Sequence, residues 1–430
     1  MNRIIMVITR GTRNMLTAGL AVAIACCGFA QATETLSATD RMLGTNGTDL
    51  RDRHGKGEVV RLRGVNLGAW LKFEAWMCPV DASKALLDVN PGHNGYDFQV
   101  RRLLTSRFGA ATAAGLINAY KDAWITEADL DQIKALGFNA VRLPFCYDHL
   151  LHEDGSWRDD AFKHIDWLVG NAAKRGIYTI LDYHGFLPPG ANENGSENGF
   201  FSIAEQKAET VRIWSRIAAR YRGNPAVAMY DLLNEPTNSA PEKKPAPAPA
   251  TVNELYDQIY QAIRRVDPDH IIAMEGMWGW DTLRDPHKAG YHNVVCSLHW
   301  YHWGNGMTTE KHLAATRQEI DGVKKMFGLW KIPCYIGEFN LFGDRAAWTD
   351  ALQEYDRAGL SWTMWSYKNR LGGTNSWGLC GPVAGRTLPI PDLTKDSASE
   401  IRRKWMAWKT NNRDFAINPF LEPLLRQSKP

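Results

Sequence analysis

Residues 126–145 run from Thr126 through an amphipathic stretch to Leu136, break at Gly137, and enter Asn139-Ala140-Val141-Arg142-Leu143-Pro144-Phe145. Thr126 is a suitable helix N-cap and Gly137 a suitable left-handed stop after the helix. The segment that follows is short, apolar and bounded by a turn residue, as a buried strand is. This helix-then-strand unit recurs along the chain. The strand candidates are 61–67, 139–145, 178–184, 227–235, 271–275, 293–301, 334–339 and 360–367. Amphipathic stretches at 127–136, 159–174, 203–221, 252–266, 310–327 and 346–358 alternate with them. Eight strand signals with intervening helices predict a single-domain α/β fold, a (β/α)8 TIM barrel. An open doubly wound sheet is the competing architecture. It calls for a Gly-rich phosphate turn after the first strand, and Val65-Asn66-Leu67-Gly68-Ala69-Trp70 is not one.

Smaller features fit around this repeat. Residues 48–63 read as a β-hairpin turning at His54-Gly55-Lys56-Gly57 and closing the barrel floor. Residues 281–290, after the fifth strand, read as little more than a turn. Pro241 to Ala250 alternates Pro and Ala, which favours an extended surface loop.

The chain has Lys+Arg 50 against Asp+Glu 47, and its first 32 residues hold Arg3, Arg10 and Arg13 but no acidic residue. Without that segment the two signs balance, 47 against 47. A balanced chain argues against a nucleic-acid partner, which needs a concentrated basic excess. Basic residues, an apolar run from Leu16 to Cys27, and Ala30-Gln31-Ala32 together read as a signal peptide over 1–32, with the catalytic domain at 33–430. The run is too short to span a bilayer. Export to the periplasm or beyond is therefore expected, with no integral membrane association and a monomeric protein. Two of the seven cysteines lie in the leader, and the remaining five show no zinc-finger spacing. Cys78 and Cys380 form the one disulfide entertained.

Polar residues gather at the C-terminal ends of the strand candidates, where barrels of this kind carry their chemistry. Arg142 interrupts an apolar strand; His184 ends the third; Asn234-Glu235-Pro236 end the fourth; His299 and Tyr301 lie in the sixth. Gly337-Glu338-Phe339 end the seventh, and Trp365 lies in the eighth. Strands four and seven face each other across the barrel, so Glu235 and Glu338 can act as a carboxylate pair, the arrangement of retaining glycoside hydrolysis. Arg142 and Tyr301 can keep one of them ionised. Asn234 can bond a sugar hydroxyl, and Trp365 offers a face for a sugar ring. Each residue alone has a structural explanation as a cap, ion-pair partner or packing group, and most of the 17 tryptophans are expected in the core. Six strands delivering such groups to one end is what favours a site. His299 and His302 should point to opposite faces, and no HExxH helix or Gly-x-Ser-x-Gly elbow is present, so neither a metal nor a cofactor is expected.

This ordered set resembles glycoside hydrolase family 5, the cellulase-type retaining (β/α)8 enzymes, over roughly residues 45 to 410. The resemblance implies Glu235 as acid/base, Glu338 as nucleophile, and Arg142 and Tyr301 as contacts of the nucleophile. It implies His184, His299 and Trp365 around the glycone sugar. Arg63-Gly64-Val65-Asn66-Leu67-Gly68-Ala69-Trp70, continuing through Phe73-Glu74 to Trp76-Met77-Cys78-Pro79, is similar to the exo-β-1,3-glucanases of that family, which makes Glu74 a binder of the terminal glucose. Phe339 departs from that subgroup, which often carries Trp after the glutamate. The expectation is a secreted β-glycosidase acting on β-glucan or related oligosaccharides. A mannan- or glycolipid-active enzyme and a non-catalytic glycan-binding barrel are the alternatives.

Overall fold

The structure is a computed structural model that describes residues 41–80, 96–185, 200–201, 203–236, 249–276, 279–302, 306–372 and 377–426. The leader read over 1–32, the 186–199 loop and most of the Pro-Ala stretch lie outside the described residues.

Eight parallel strands close into a barrel. They are β1 (Arg63–Asn66), β2 (Ala140–Cys146), β3 (Tyr178–Gly185), β4 (Val227–Asp231), β5 (Ile271–Glu275), β6 (Val294–Tyr301), β7 (Cys334–Asn340) and β8 (Ser361–Met364). β8 pairs with β1 on one side and β7 on the other, which seals the ring. Each matches a strand expected from the sequence. The fourth and eighth stop early, so Glu235 and Trp365 lie just past their strands.

The helices are α1 (Tyr96–Phe108), α2 (Ala110–Trp124), α3 (Glu127–Ala135), α4 (Lys163–Lys174), α5 (Ala204–Tyr221), α6 (Pro249–Val266), α7 (Thr309–Trp330), α8 (Arg345–Arg357) and α9 (Ala398–Met406). Thr126 caps α3, its backbone N–H donating to Asp129 Oδ2 at 2.7 Å, and Gly137 has φ +94°. Between β5 and β6 the described chain makes a short 3₁₀ turn, Trp280–Thr282, and a further turn at 286–290, as the weak pattern there suggested. The sequence reading had not named α1, α2 or α9. α2 hides both apolar and polar residues, Lys121 among them, so it shows no clean polar face.

The N-terminal hairpin is present, but its strands are Gly44–Asn46 and Asp49–Arg51 and its turn falls at residues 47–48. The chain reverses again around Gly55, linked by a single bridge from Arg51 to Val59. Two glycine-centred turns follow each other here, and only the second had been expected. Leu43 and Leu50 from this segment pack with Leu62, Ala140, Tyr178 and Ile271 at the strand starts, closing the floor.

The proposed Cys78–Cys380 bridge is not formed: all five described cysteines are free and buried. The Cys78 thiol lies against the Tyr120 hydroxyl and the Cys380 thiol against that of Tyr367, so each has its own partner. Cys296 and Cys334 are the register partners, on β6 and β7.

Large aromatics fill the shell between barrel and helices. Trp70, Trp124, Trp214, Trp348, Trp405 and Trp408 are buried, and each indole N–H donates to a backbone carbonyl: Lys121, Gly68, Leu232, Phe342, Pro79 and Pro389 in turn. Lys368, just after β8, is also buried. Its ammonium donates to the carbonyls of Trp124 (2.8 Å) and Trp408 (2.9 Å) and to the Thr410 hydroxyl (2.7 Å), with Asp129 at 3.9 Å. Replacing it by an isosteric apolar residue leaves these acceptors without a donor. Lys368→Met is expected to lose about 3 kcal/mol of stability in urea unfolding; a loss below ~1 kcal/mol would show that the contacts are dispensable.

Candidate active site

Arg142 stands inside the barrel with no solvent exposure. Its Nη1 donates to Glu338 Oε1 at 2.7 Å and Asn66 Oδ1 at 3.1 Å. Nη2 donates to Asn234 Oδ1 at 2.9 Å and lies 3.1 Å from Asp182 Oδ1; Nε donates to Asp231 Oδ2 at 2.9 Å. One guanidinium thus holds three carboxylates, from β3, β4 and β7. Those charges keep Arg142 firmly protonated against the burial that opposes it.

Glu338 is gripped from both sides. Arg142 holds Oε1, and the Tyr301 hydroxyl donates to Oε2 at 2.8 Å. Burial pushes its carboxyl up from the ordinary value, while His299, Arg142 and the Tyr301 hydroxyl pull it down. Glu235 stands opposite, with His299 Nδ1 3.0 Å from its Oε1. An oxygen of each carboxylate and a nitrogen of His299 all lie within 4.8 Å of one another. Burial lowers the His299 pKa to about 4, so its ring is neutral near pH 7. Among the described residues this is the one group of acids and His spaced to hold an ion. Arg142 already supplies a positive charge to it.

On the other flank, His184 Nδ1 meets Asp182 Oδ2 at 2.8 Å, and its ring stacks on Trp365, centroids 5.3 Å apart. Its Nε2 lies 3.7 Å from Glu74, which is also 3.7 Å from Lys72 Nζ. Burial, with the charges of Lys72 and Arg142, holds the imidazole well below its usual pKa. Burial raises the Glu74 carboxyl, and Lys72 and the Trp76 indole pull it back.

All nine residues singled out from the sequence fall in this one network. The expected divergence of the two histidines is also found: His302 turns outward to Glu319 at 3.1 Å, on α7. Five participants had not been assigned a role, Asn66 on Arg142 among them. Asp182 and Asp231 balance Arg142, Lys72 sits beside Glu74, and Glu275 accepts the backbone N–H of Glu235 at 2.7 Å. A buried Arg demands counter-charges. Asp182 and Asp231 are the acids of β3 and β4, so pairing those two with Arg142 was the available signal.

Removing the guanidinium strips three buried carboxyls of their cation. The Asp182 and Glu338 carboxyls, already pushed up by burial, then rise further above the unfolded values near ~4. The folded state now binds the extra protons, so stability falls as pH climbs through that window. Arg142→Met is expected to lose about 3–5 kcal/mol at pH 7 and markedly less near pH 4.5, read by urea unfolding at both pH values. An equal loss at the two would contradict this charge balance.

A family profile described as Cellulase (glycosyl hydrolase family 5) matches residues 92–371. The chain is 27% identical over 420 residues to a "Beta-xylosidase" of Phanerodontia chrysosporium, covering 89% of this chain and 81% of that protein. It is 25% identical over 354 residues to a "Probable glucan 1,3-beta-glucosidase A" of Neosartorya fischeri, covering 80% and 77%. Among solved structures, the endoglucanase Cel5A of Thermotoga maritima shares the fold with a TM-score of 0.51 at 20% identity, covering 74% of this chain and 91% of that one. The profile spans most of the barrel, and the chain belongs to glycosyl hydrolase family 5.

Proposed function

We propose that this protein is an exported retaining β-glycosidase that releases sugar from β-glucan or related oligosaccharides. The observation that carries the reading is the spacing of Glu235 and Glu338, whose oxygens approach within 4.8 Å. Retaining enzymes place their carboxyls roughly 5 Å apart, whereas inverting ones need roughly 6.5–9.5 Å to admit a water. The partners divide the roles. Glu338 is held by a guanidinium and a phenol, which favour the ionised nucleophile. Glu235 has neutral His299 beside it and a side chain 35% exposed, as suits a group exchanging protons with leaving group and water.

In the first step a Glu338 oxygen attacks the anomeric carbon, the glycosidic C–O bond breaks, and Glu235 gives its proton to the departing oxygen. In the second, Glu235 takes a proton from water as the water oxygen bonds the anomeric carbon, and Glu338 leaves as carboxylate. Asn234, its carbonyl held by Arg142, has its amide N–H groups left for a sugar hydroxyl. Trp365 and His184 form the apolar wall, and Glu74 with Lys72 the polar end, of the glycone pocket. Likeness to the glucan 1,3-beta-glucosidases supports a β-1,3 linkage. A xyloside-cleaving reading is favoured by the likeness to the β-xylosidase.

Incubating the protein lacking residues 1–32 with laminarin, mixed-linkage glucan, cellulose oligomers, xylo-oligosaccharides and mannan separates these. Monosaccharide release from laminarin is the expected result, and xylose as sole product would replace glucan by xylan. Glu338→Gln is expected to abolish turnover while melting like the wild type; near wild-type kcat would remove its assignment as nucleophile. The first-formed product should keep the β configuration by NMR, and appearance of the α anomer first would establish inversion instead.

A further inference from the structure

Glu275 ends β5 and has no part in the two displacement steps, yet it touches the acid/base from two directions. Its Oε2 accepts the Glu235 backbone N–H at 2.7 Å. Its Oε1 lies 3.4 Å from His299 Nδ1, the nitrogen that stands 3.0 Å from Glu235 Oε1. The first contact falls where the chain needs restraint. Glu235 has φ +42°, in the left-handed region that residues with a side chain avoid. The Glu275 acceptor on its N–H adds to the neighbouring bond from Asn234 N–H to the Tyr183 carbonyl in holding that turn.

The surroundings of Glu275 set its charge. It is 3% exposed. β4 presents Asp231 and the segment after it Glu235, β6 presents His299 and Cys296, and α6 presents Tyr256, whose hydroxyl bonds the Glu275 main chain. Arg142 on β2 is the nearby cation, and its donors go to Asp231, Glu338, Asn66 and Asn234. No lysine or arginine makes an ion pair with Glu275 among the described residues. A buried carboxyl between other carboxylates, without a cation of its own, favours its neutral form.

We propose that Glu275 is a positioning residue that, as a neutral carboxylic acid, holds Glu235 facing Glu338 through the Glu235 amide and the His299 ring. This rests on the reading of Glu235 as acid/base. Burial first, then repulsion from Glu235 and Asp231, keeps the Glu275 carboxyl well above the ordinary glutamate range. An ionised Glu275 would set a further negative charge beside Glu235 and Asp231.

Two variants test this. Glu275→Gln keeps the length, the carbonyl acceptor and the neutral charge; Glu275→Leu keeps the volume and removes the acceptor. Both are assayed for kcat/KM on two aryl β-glycosides of the sugar that the wild type releases. One carries 2,4-dinitrophenol, which departs without a proton, and the other phenol, which needs one. Because the effect passes through Glu235, the Leu variant should lose about 10²-fold on the phenyl glycoside and less than about fivefold on the dinitrophenyl one. The Gln variant should stay within about fivefold of wild type on both. Equal losses of the Leu variant on both substrates, or a Gln variant as impaired as the Leu one, would overturn the role.

Melting temperatures supply a readout apart from activity. A carboxyl whose folded pKa exceeds its unfolded pKa costs stability as pH rises between the two, and Gln escapes that cost. The Gln variant should therefore gain in melting temperature over wild type from pH 5 to pH 8. A constant difference would overturn the neutral state of Glu275. Inactivity of the wild type on both glycosides would overturn the acid/base reading and the positioning role with it, while the melting comparison still decides the charge.

Discussion

Arg142 brings a single positive charge into the barrel and shares it among Asp182, Asp231 and Glu338. Everything at the mouth of the barrel is arranged around that imbalance. A guanidinium suits it better than an ammonium would, because its planar fork reaches β3, β4 and β7 at once with separate nitrogens. The same group aligns Asn234 and Asn66, so two neutral amides are oriented by the contact that stabilises the acids. Position and charge are thus not separate properties of this site. A displacement of Arg142 would alter both together.

One cation cannot neutralise all the acids nearby, so protons must make up the difference. Asp182, a neighbour of Glu338 on that guanidinium, has its carboxyl pushed well above the ordinary aspartate range by burial. Glu275 is pushed up likewise, and His299 is held neutral. The result is a graded site. Arg142 and the Tyr301 hydroxyl meet Glu338, whereas the neighbours of Glu235, His299 and Glu275, are neutral groups. Such a difference in surroundings suits the nucleophile and proton-donor roles proposed for Glu338 and Glu235.

The barrel was legible because each strand is short, apolar and punctuated, and the periodicity of the following helix differs. Arg142 stood out for the same reason: it is the one charged residue in an apolar strand whose seven residues are all buried. Asp231 and Glu275 did not stand out, since a single acid ending a strand is common and only three-dimensional neighbours reveal that Asp231 meets Arg142 and Glu275 the Glu235 amide. α2 escaped notice because its burial follows no single face; it is packed between α1 on one side and α9 on the other. The hairpin turn was misplaced since Gly47 and Gly55 both take positive φ, and local sequence does not rank two adequate turns. Disulfide pairing failed on a similar point, as loop-like context says nothing about which hydroxyl a thiol will meet.

The buried tryptophans have an effect that their bulk alone does not convey. Trp124 of α2 fastens the carbonyl of Gly68, Trp214 of α5 that of Leu232, Trp348 of α8 that of Phe342, and Trp405 of α9 that of Pro79. Each fastened carbonyl belongs to a segment that follows a barrel strand and leads toward the site. The outer helices are therefore moulds for the inner loops, not merely a jacket around them. An eightfold barrel looks modular, with loops that invite exchange. In this chain a transplanted loop would meet an indole set for a different carbonyl, so the unit of heredity for specificity is the loop together with the helix that grips it.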